Sequence, residues 1–179
     1  MFRKFILSLV FSITFLAACA TPQLEEQEKK TPVFVLEDYF NGPVKAWGLV
    51  QNRSGKVLRR FEVTMNGKWD GHKGTLNESF NYYDGQVQHR TWHITKNTDG
   101  SYEGRASDIF GKAIGYTQHG SLQWQYDMNL ETKKGEHYRI TFDDRMFVMR
   151  DGVLINHSDL SKFGFKVAEL TIFMQKQKK

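Results

Sequence analysis

The chain has a single cysteine, Cys19, in 179 residues. One thiol excludes an intramolecular disulfide and a multi-thiolate metal site. The sequence also contains no Gly-x-Ser-x-Gly nucleophile elbow, no glycine-rich phosphate loop and no cluster with metal-ligand spacing. No cofactor is implied. No basic stripe interleaved with aromatics in a nucleic-acid-binding pattern is present, so nucleic acid is not an expected partner. The longest apolar run, Phe5 to Leu16, is shorter than the ~20 residues that a membrane-spanning helix needs.

That short run has another meaning. Arg3 and Lys4 precede it, and Leu16-Ala17-Ala18-Cys19 follows it. A positive n-region, a short apolar core and small residues before the cut make a secretion signal over residues 1–18. A cysteine at the first mature position marks a bacterial lipoprotein, with Cys19 as the lipidated residue. Lipidation there leaves no thiol for a disulfide, a metal or a nucleophile. Three acyl chains exceed the two signals that stable anchoring requires. Ala20, in place of Asp, favours sorting to the outer membrane with the domain facing the periplasm. Residues 19–32 carry Glu25, Glu26, Glu28, Lys29 and Lys30 with two prolines and few bulky apolar residues, the composition of a flexible tether.

Residues 33–179 are one domain's worth of chain. Without Arg3 and Lys4 the excess of basic over acidic residues is three, and the tail Lys176-Gln177-Lys178-Lys179 holds three of the positives.

A period of two dominates this domain. Leu122, Trp124, Tyr126, Met128 and Leu130 alternate with Gln123, Gln125, Asp127, Asn129 and Glu131, the pattern of a half-buried antiparallel strand. Asn66-Gly67, Asp70-Gly71, Asp84-Gly85, Asp99-Gly100 and Asp151-Gly152 supply tight hairpin turns. These signals predict strands near 44–52, 57–68, 74–83, 86–96, 101–108, 112–118, 121–131, 136–143, 145–150, 153–158 and 165–176. Val167 to Met174 is apolar at nearly every position and reads as buried on both faces. Leu36-Glu37-Asp38-Tyr39-Phe40 predicts one helical turn that caps an end of the sheet, stopped by Gly42-Pro43. Short strands in a meander avoid open edges by closing. The expectation is an all-β, antiparallel up-and-down barrel of about 8–10 strands, a size that holds one small ligand. A membrane-spanning barrel is the competing architecture, but its lipid-facing apolar band does not suit strands this rich in charge.

His89 and His93 have helical metal spacing, but the segment alternates as a strand, where four residues span about 13 Å, too far for one ion. Asp143-Asp144-Arg145 reads as a strand junction held by an Asp–Arg bridge, with acid–base work as the alternative reading. Glu37, Asp38 and Glu78 have no partner identifiable from sequence. The aromatic strand residues suggest an apolar interior with a few polar groups that orient a head. The candidate ligand-binding residues are Arg59, Arg90, Trp92, Trp124, Tyr126 and Arg139, because a buried arginine pairs with a carboxylate or phosphate.

Several segments resemble one family. They are Phe34-Val35-Leu36-Glu37-Asp38-Tyr39-Phe40-Asn41-Gly42-Pro43-Val44-Lys45-Ala46-Trp47-Gly48, Trp69-Asp70-Gly71 with Gly74-Thr75-Leu76-Asn77-Glu78, Phe142-Asp143-Asp144-Arg145-Met146-Phe147, and Ser161-Lys162-Phe163-Gly164-Phe165-Lys166-Val167. They resemble proteobacterial lipoproteins of unknown function with a lipocalin-like domain. The resemblance implies a lipocalin-like barrel and a lipid-related role, and supplies no catalytic residue. Lipocalins proper carry Gly-x-Trp in the first strand. Here the order is Trp47-Gly48, which leaves the manner of closure open. The expected function is a membrane-anchored protein binding a fatty acid or other acyl lipid in its barrel. The alternatives are an interaction lipoprotein with a filled core and an accessory lipid-modifying enzyme. Oligomeric state is not fixed by the sequence.

Overall fold

The computed structural model describes residues 32–118, 120–131 and 135–178. The expected signal, Cys19 and the tether up to residue 31 lie outside the described residues.

Ten antiparallel strands close into one barrel, each paired with its sequence neighbours and the last with the first. They are β1 (Gly42–Asn52), β2 (Val57–Asp70), β3 (Lys73–Tyr82), β4 (Val87–Lys96), β5 (Tyr102–Arg105), β6 (Ile109–Gln118), β7 (Ser121–Glu131), β8 (His137–Val148), β9 (Val153–Lys162) and β10 (Phe165–Lys176). Closure runs along the β1–β10 ladder, from Val44 opposite Lys176 to Asn52 opposite Ala168. The expected lipocalin-like barrel is therefore present, and its closure leaves no free sheet edge. Every core residue among those described lies between Phe34 and Met174, so this segment carries its own core and pairs its own edges.

Asn66-Gly67 makes no turn but lies inside β2, opposite Asn77 and Leu76, and the structure revises three further readings. First, 136–143 and 145–150 are one strand, β8, and Asp143-Asp144-Arg145 sits in its middle. No glycine or proline interrupts it, and the pleat sends Asp144 inward and Asp143 outward. Asp143 does meet Arg145, at 3.3 Å, but on the outer surface and not at a corner. Second, β10 is buried on one face only: Ala168, Leu170, Ile172 and Met174 point in, while Val167 and Phe173 are exposed. Third, the segment expected as a strand over 101–108 is short. β5 ends at Arg105, and the β6–β7 register shifts between Phe110 and Ile114, where Gly111 takes a positive φ.

One end of the barrel is plugged. α1 (Leu36–Tyr39) is the predicted helical turn, with Leu36, Tyr39 and Phe40 buried. Glu37 accepts from Tyr102 Oη at 2.6 Å and from Lys96 Nζ. Tyr39 Oη donates to Gly152 O at 3.0 Å, and Lys176 Nζ donates to Tyr39 O at 2.7 Å and Asn41 O at 3.0 Å. Gly67 makes room for the plug: a Cβ there would stand 1.6 Å from Phe40 O. Lys96, Tyr102, Gly152 and Lys176 all lie at the same end of the barrel, so these bonds pin α1 across that opening.

Candidate functional site

The opposite end is open. Between it and the plug lies a cavity of about 940 Å³, floored by Leu36 and Phe40. That is within the range of small-molecule sites, about 300–1,000 Å³. Its wall follows from strand parity. Leu76, Glu78, Phe80 and Tyr82 of β3 face in, as do Arg90, Trp92 and Ile94 of β4, and Trp124, Tyr126 and Met128 of β7. The rings pack on one another. Trp92 meets Trp124 and Tyr126 edge-on at 5.8 and 5.4 Å, and Tyr126 stacks on Phe142 at 5.1 Å. Trp124 lies against bare backbone: a Cβ on Gly104 or Gly115 would come within 2.3 and 2.2 Å of the indole.

A polar cluster interrupts this apolar wall. Arg90 is caged near Phe80 and Trp92, binds Asp108 through Nε at 2.8 Å and Nη2 at 2.7 Å, and faces Glu78 Oε2 at 3.7 Å. Burial raises the Glu78 carboxyl to about 7, against the opposing pull of Arg90. Across the cavity Asp144 is fully enclosed. Burial pushes it up to about 6, although Ser158, Asn156 and Tyr126 donate hydrogen bonds to it. Two carboxyl groups thus stand ready to hold a proton near neutral pH, each facing the same space.

Five of the six predicted ligand-binding residues line this cavity: Arg59, Arg90, Trp92, Trp124 and Tyr126. Arg59 sits at the mouth, with its guanidinium 3.3 Å from the Tyr82 ring centre and Asp84 at 3.5 Å. Arg139 does not belong with them. On β8 the inward parity falls on Ile140 and Phe142, so Arg139 points to solvent and pairs with Asp127 at 2.6 Å. Arg90 also differs from its expected role, because Asp108 and Glu78 already take up its charge. His89 and His93 share the exposed outer face of β4. Elsewhere on the outer surface, His157, Asp159 and Glu169 come together, but Lys166 Nζ reaches both carboxylates at 2.6 and 2.5 Å and supplies the positive charge there.

Sequence reasoning missed Asp108, Asn156 and Ser158, and found no partner for Glu78. Parity held the clue for three of these. Glu78 falls in phase with Leu76 and Phe80, and Asn156 and Ser158 in phase with Leu154 and Leu160. A polar residue in the apolar phase of a strand is an inward polar residue.

Exposed apolar side chains stand along one side of the mouth, from the β9–β10 turn to the start of β4. Phe163, in the β9–β10 turn, is 89% exposed, and Phe165, which opens β10, is 73% exposed. Leu58 stands exposed at the start of β2 and Val87 at the start of β4, and Arg53 and Lys56 occupy the exposed β1–β2 turn. Phe163 holds a φ of +53°, a left-handed conformation that costs a side chain with Cβ roughly 1–2 kcal/mol.

The family described as "Protein of unknown function (DUF3833)" matches residues 13–176. The chain belongs to that family. No curated protein matches its sequence. Among solved structures, the S-type phycobiliprotein lyase CPES from Guillardia theta is similar in fold, with a TM-score of 0.55 and 10% identity. The likeness covers 88% of this chain and 100% of that one. At that identity it supports the lipocalin-like barrel and nothing about chemistry. The family match likewise carries no activity with it.

Proposed function

We propose that this protein holds an acyl lipid inside its barrel, as a lipid-anchored protein of the outer membrane facing the periplasm. The observation that carries the reading is the cavity of about 940 Å³, aromatic and aliphatic over most of its wall, sealed by α1 and open at the other end. A filled-core interaction protein would not have an interior well above the ~300 Å³ lower bound for ligand sites. An alkyl chain gains from such a wall at about 25 cal/mol per Å² of apolar surface removed from water.

The rim supports the membrane side of the proposal. Phe163 is both strained and almost fully exposed, which earns nothing for the fold. Its ring gains when it enters a bilayer interface. Phe165, Leu58 and Val87 would enter with it, and Arg53 and Lys56 suit anionic headgroups. The proposed anchor joins the barrel at the plugged end, opposite this rim. Thirteen residues, 20–32, reach at most about 45 Å, more than the ~30 Å height of strands this long, so both ends can address one membrane.

Tryptophan quenching tests the reading. Trp92 and Trp124 line the cavity, so a fatty chain brominated along its length should quench their emission saturably, at one chain per protein. Replacing both by Phe should abolish that quenching while the barrel remains folded. Failure of any brominated chain to quench would contradict the proposal.

A further inference from the structure

Resting on the reading of the cavity as a lipid site, we infer what its ligand must present. At the deep end it offers Glu78 and Asn156 a hydrogen-bond donor without negative charge, such as a hydroxyl, an amide N–H or an ammonium. At the mouth it offers Arg59 an acceptor oxygen.

Hydrogen-bond accounting leads there. Most inward donors of the deep cluster are already engaged by protein acids, and Arg90 Nη1 faces Glu78 Oε2 at 3.7 Å, beyond hydrogen-bond range. Trp92 donates to Glu78, Arg90 to Asp108, and Ser158, Asn156 and Tyr126 to Asp144. What remains is two buried acceptors, Glu78 Oε2 and Asn156 Oδ1, each without a hydrogen bond. The orientation of the Asn156 amide is fixed by chemistry, since turning it over would set its oxygen against the Asp144 carboxylate. A buried acceptor left unmade carries a desolvation penalty, which a ligand donor removes. The converse holds at the mouth, where Arg59 Nε is a buried donor without a partner.

Charge points the same way. Three acids, Glu78, Asp108 and Asp144, surround one buried cation, Arg90. A carboxylate or phosphate placed deep in the cavity would be a further anion there, competing with Asp108 and Glu78 for Arg90. A neutral or cationic donor meets no such barrier. The two orphan regions are also suitably spaced. Glu78 lies four residues below Tyr82, the ring that carries the Arg59 guanidinium, or about 13 Å along β3. An extended chain of medium length bridges them.

The test uses three chains that share a mouth-end carboxylate and differ only at the far end: dodecanoate, ω-hydroxydodecanoate and dodecanedioate. Affinities are measured calorimetrically on residues 33–179, the segment that carries its own core and closed sheet, above about pH 7, where Glu78 ionises. The terminal hydroxyl should tighten binding about tenfold over the methyl, one hydrogen bond's worth. The second carboxylate should weaken it. Asn156→Ala should shrink the ratio of ω-hydroxydodecanoate to dodecanoate affinity, whatever it does to either affinity alone. If the hydroxyl weakens binding, as it does in a purely apolar pocket, or if the dioate binds best, the inference is wrong although the lipid site stands. If none of the three binds, the lipid reading itself falls and the inference with it.

Discussion

Glu78 and Arg90 are directly opposed residues of β3 and β4, and both turn inward, 3.7 Å apart in the barrel interior. The pair is held in a cavity whose other walls are largely apolar, so each partner depends on the other. Arg90→Ala leaves Glu78 and Asp108 without their cation and should destabilise the barrel by about 3–5 kcal/mol. Urea unfolding measures this, and the Arg90→Met, Glu78→Gln double variant should recover part of the loss.

The Glu78 carboxyl is raised to about 7 by burial, above its ordinary value near 4.5. In the pH window between those values the folded state binds the proton more tightly than the unfolded chain. The resulting stability is fully present below about 4.5 and is lost as pH rises through 7. Asp144, raised to about 6, acts in the same direction. Glu78→Gln should therefore gain melting temperature relative to wild type at pH 8 and little or none at pH 4.5. A melting series across that range checks the sign.

Glu37 gives the opposite dependence. Burial would raise it, but hydrogen bonds from Lys96 and Tyr102 outweigh that and hold it below the usual carboxylate value. Its contribution is present above pH 4.5 and disappears as pH falls through its lowered folded value. Glu37→Gln should flatten the acid side of the stability profile. Loosening of α1 should also speed exchange of the Tyr39 and Phe40 backbone amides, which proton exchange by NMR reads directly.

Trp124 crosses β5 and β6 at two glycines, so Gly115→Ala forces the indole away from the wall. The only room is the cavity itself. The variant should fold at a cost of about 1–3 kcal/mol, show altered tryptophan emission and bind long alkyl chains more weakly.

Phe163 separates stability from surface activity. Phe163→Asn suits the left-handed turn and should stabilise the barrel by up to about 1 kcal/mol. It should also reduce binding of residues 33–179 to anionic phospholipid vesicles, and Phe163→Asn with Phe165→Ser should reduce it further. Vesicle sedimentation and thermal melting on the same samples test both halves.

Much of the fold was legible because strand parity and Asx-Gly turns are local signals. Leu122 to Leu130 declares a one-sided strand, and Leu36-Glu37-Asp38-Tyr39 declares the turn that becomes the plug. β8 reads as two strands from sequence because an aspartate pair looks like a break. What rescues it is non-local: Ser158 and Asn156, from the next strand, supply donors to Asp144. The same limit hid the site. Residue type points to Arg59, Arg90, Trp92, Trp124 and Tyr126, which do face the cavity, and equally to Arg139, which does not. That Arg90 is already neutralised depends on Asp108 arriving from the β5–β6 connection, eighteen residues away, and no spacing rule predicts it.

The central claim is that the barrel carries an acyl lipid. Native mass spectrometry of residues 33–179, purified gently from the host and followed by extraction and identification of any bound lipid, tests it most directly. One acyl-chain molecule per barrel, released on unfolding, is the expected result. A clean unliganded mass that does not change when fatty acids, hydroxylated chains and phospholipids are added would contradict it.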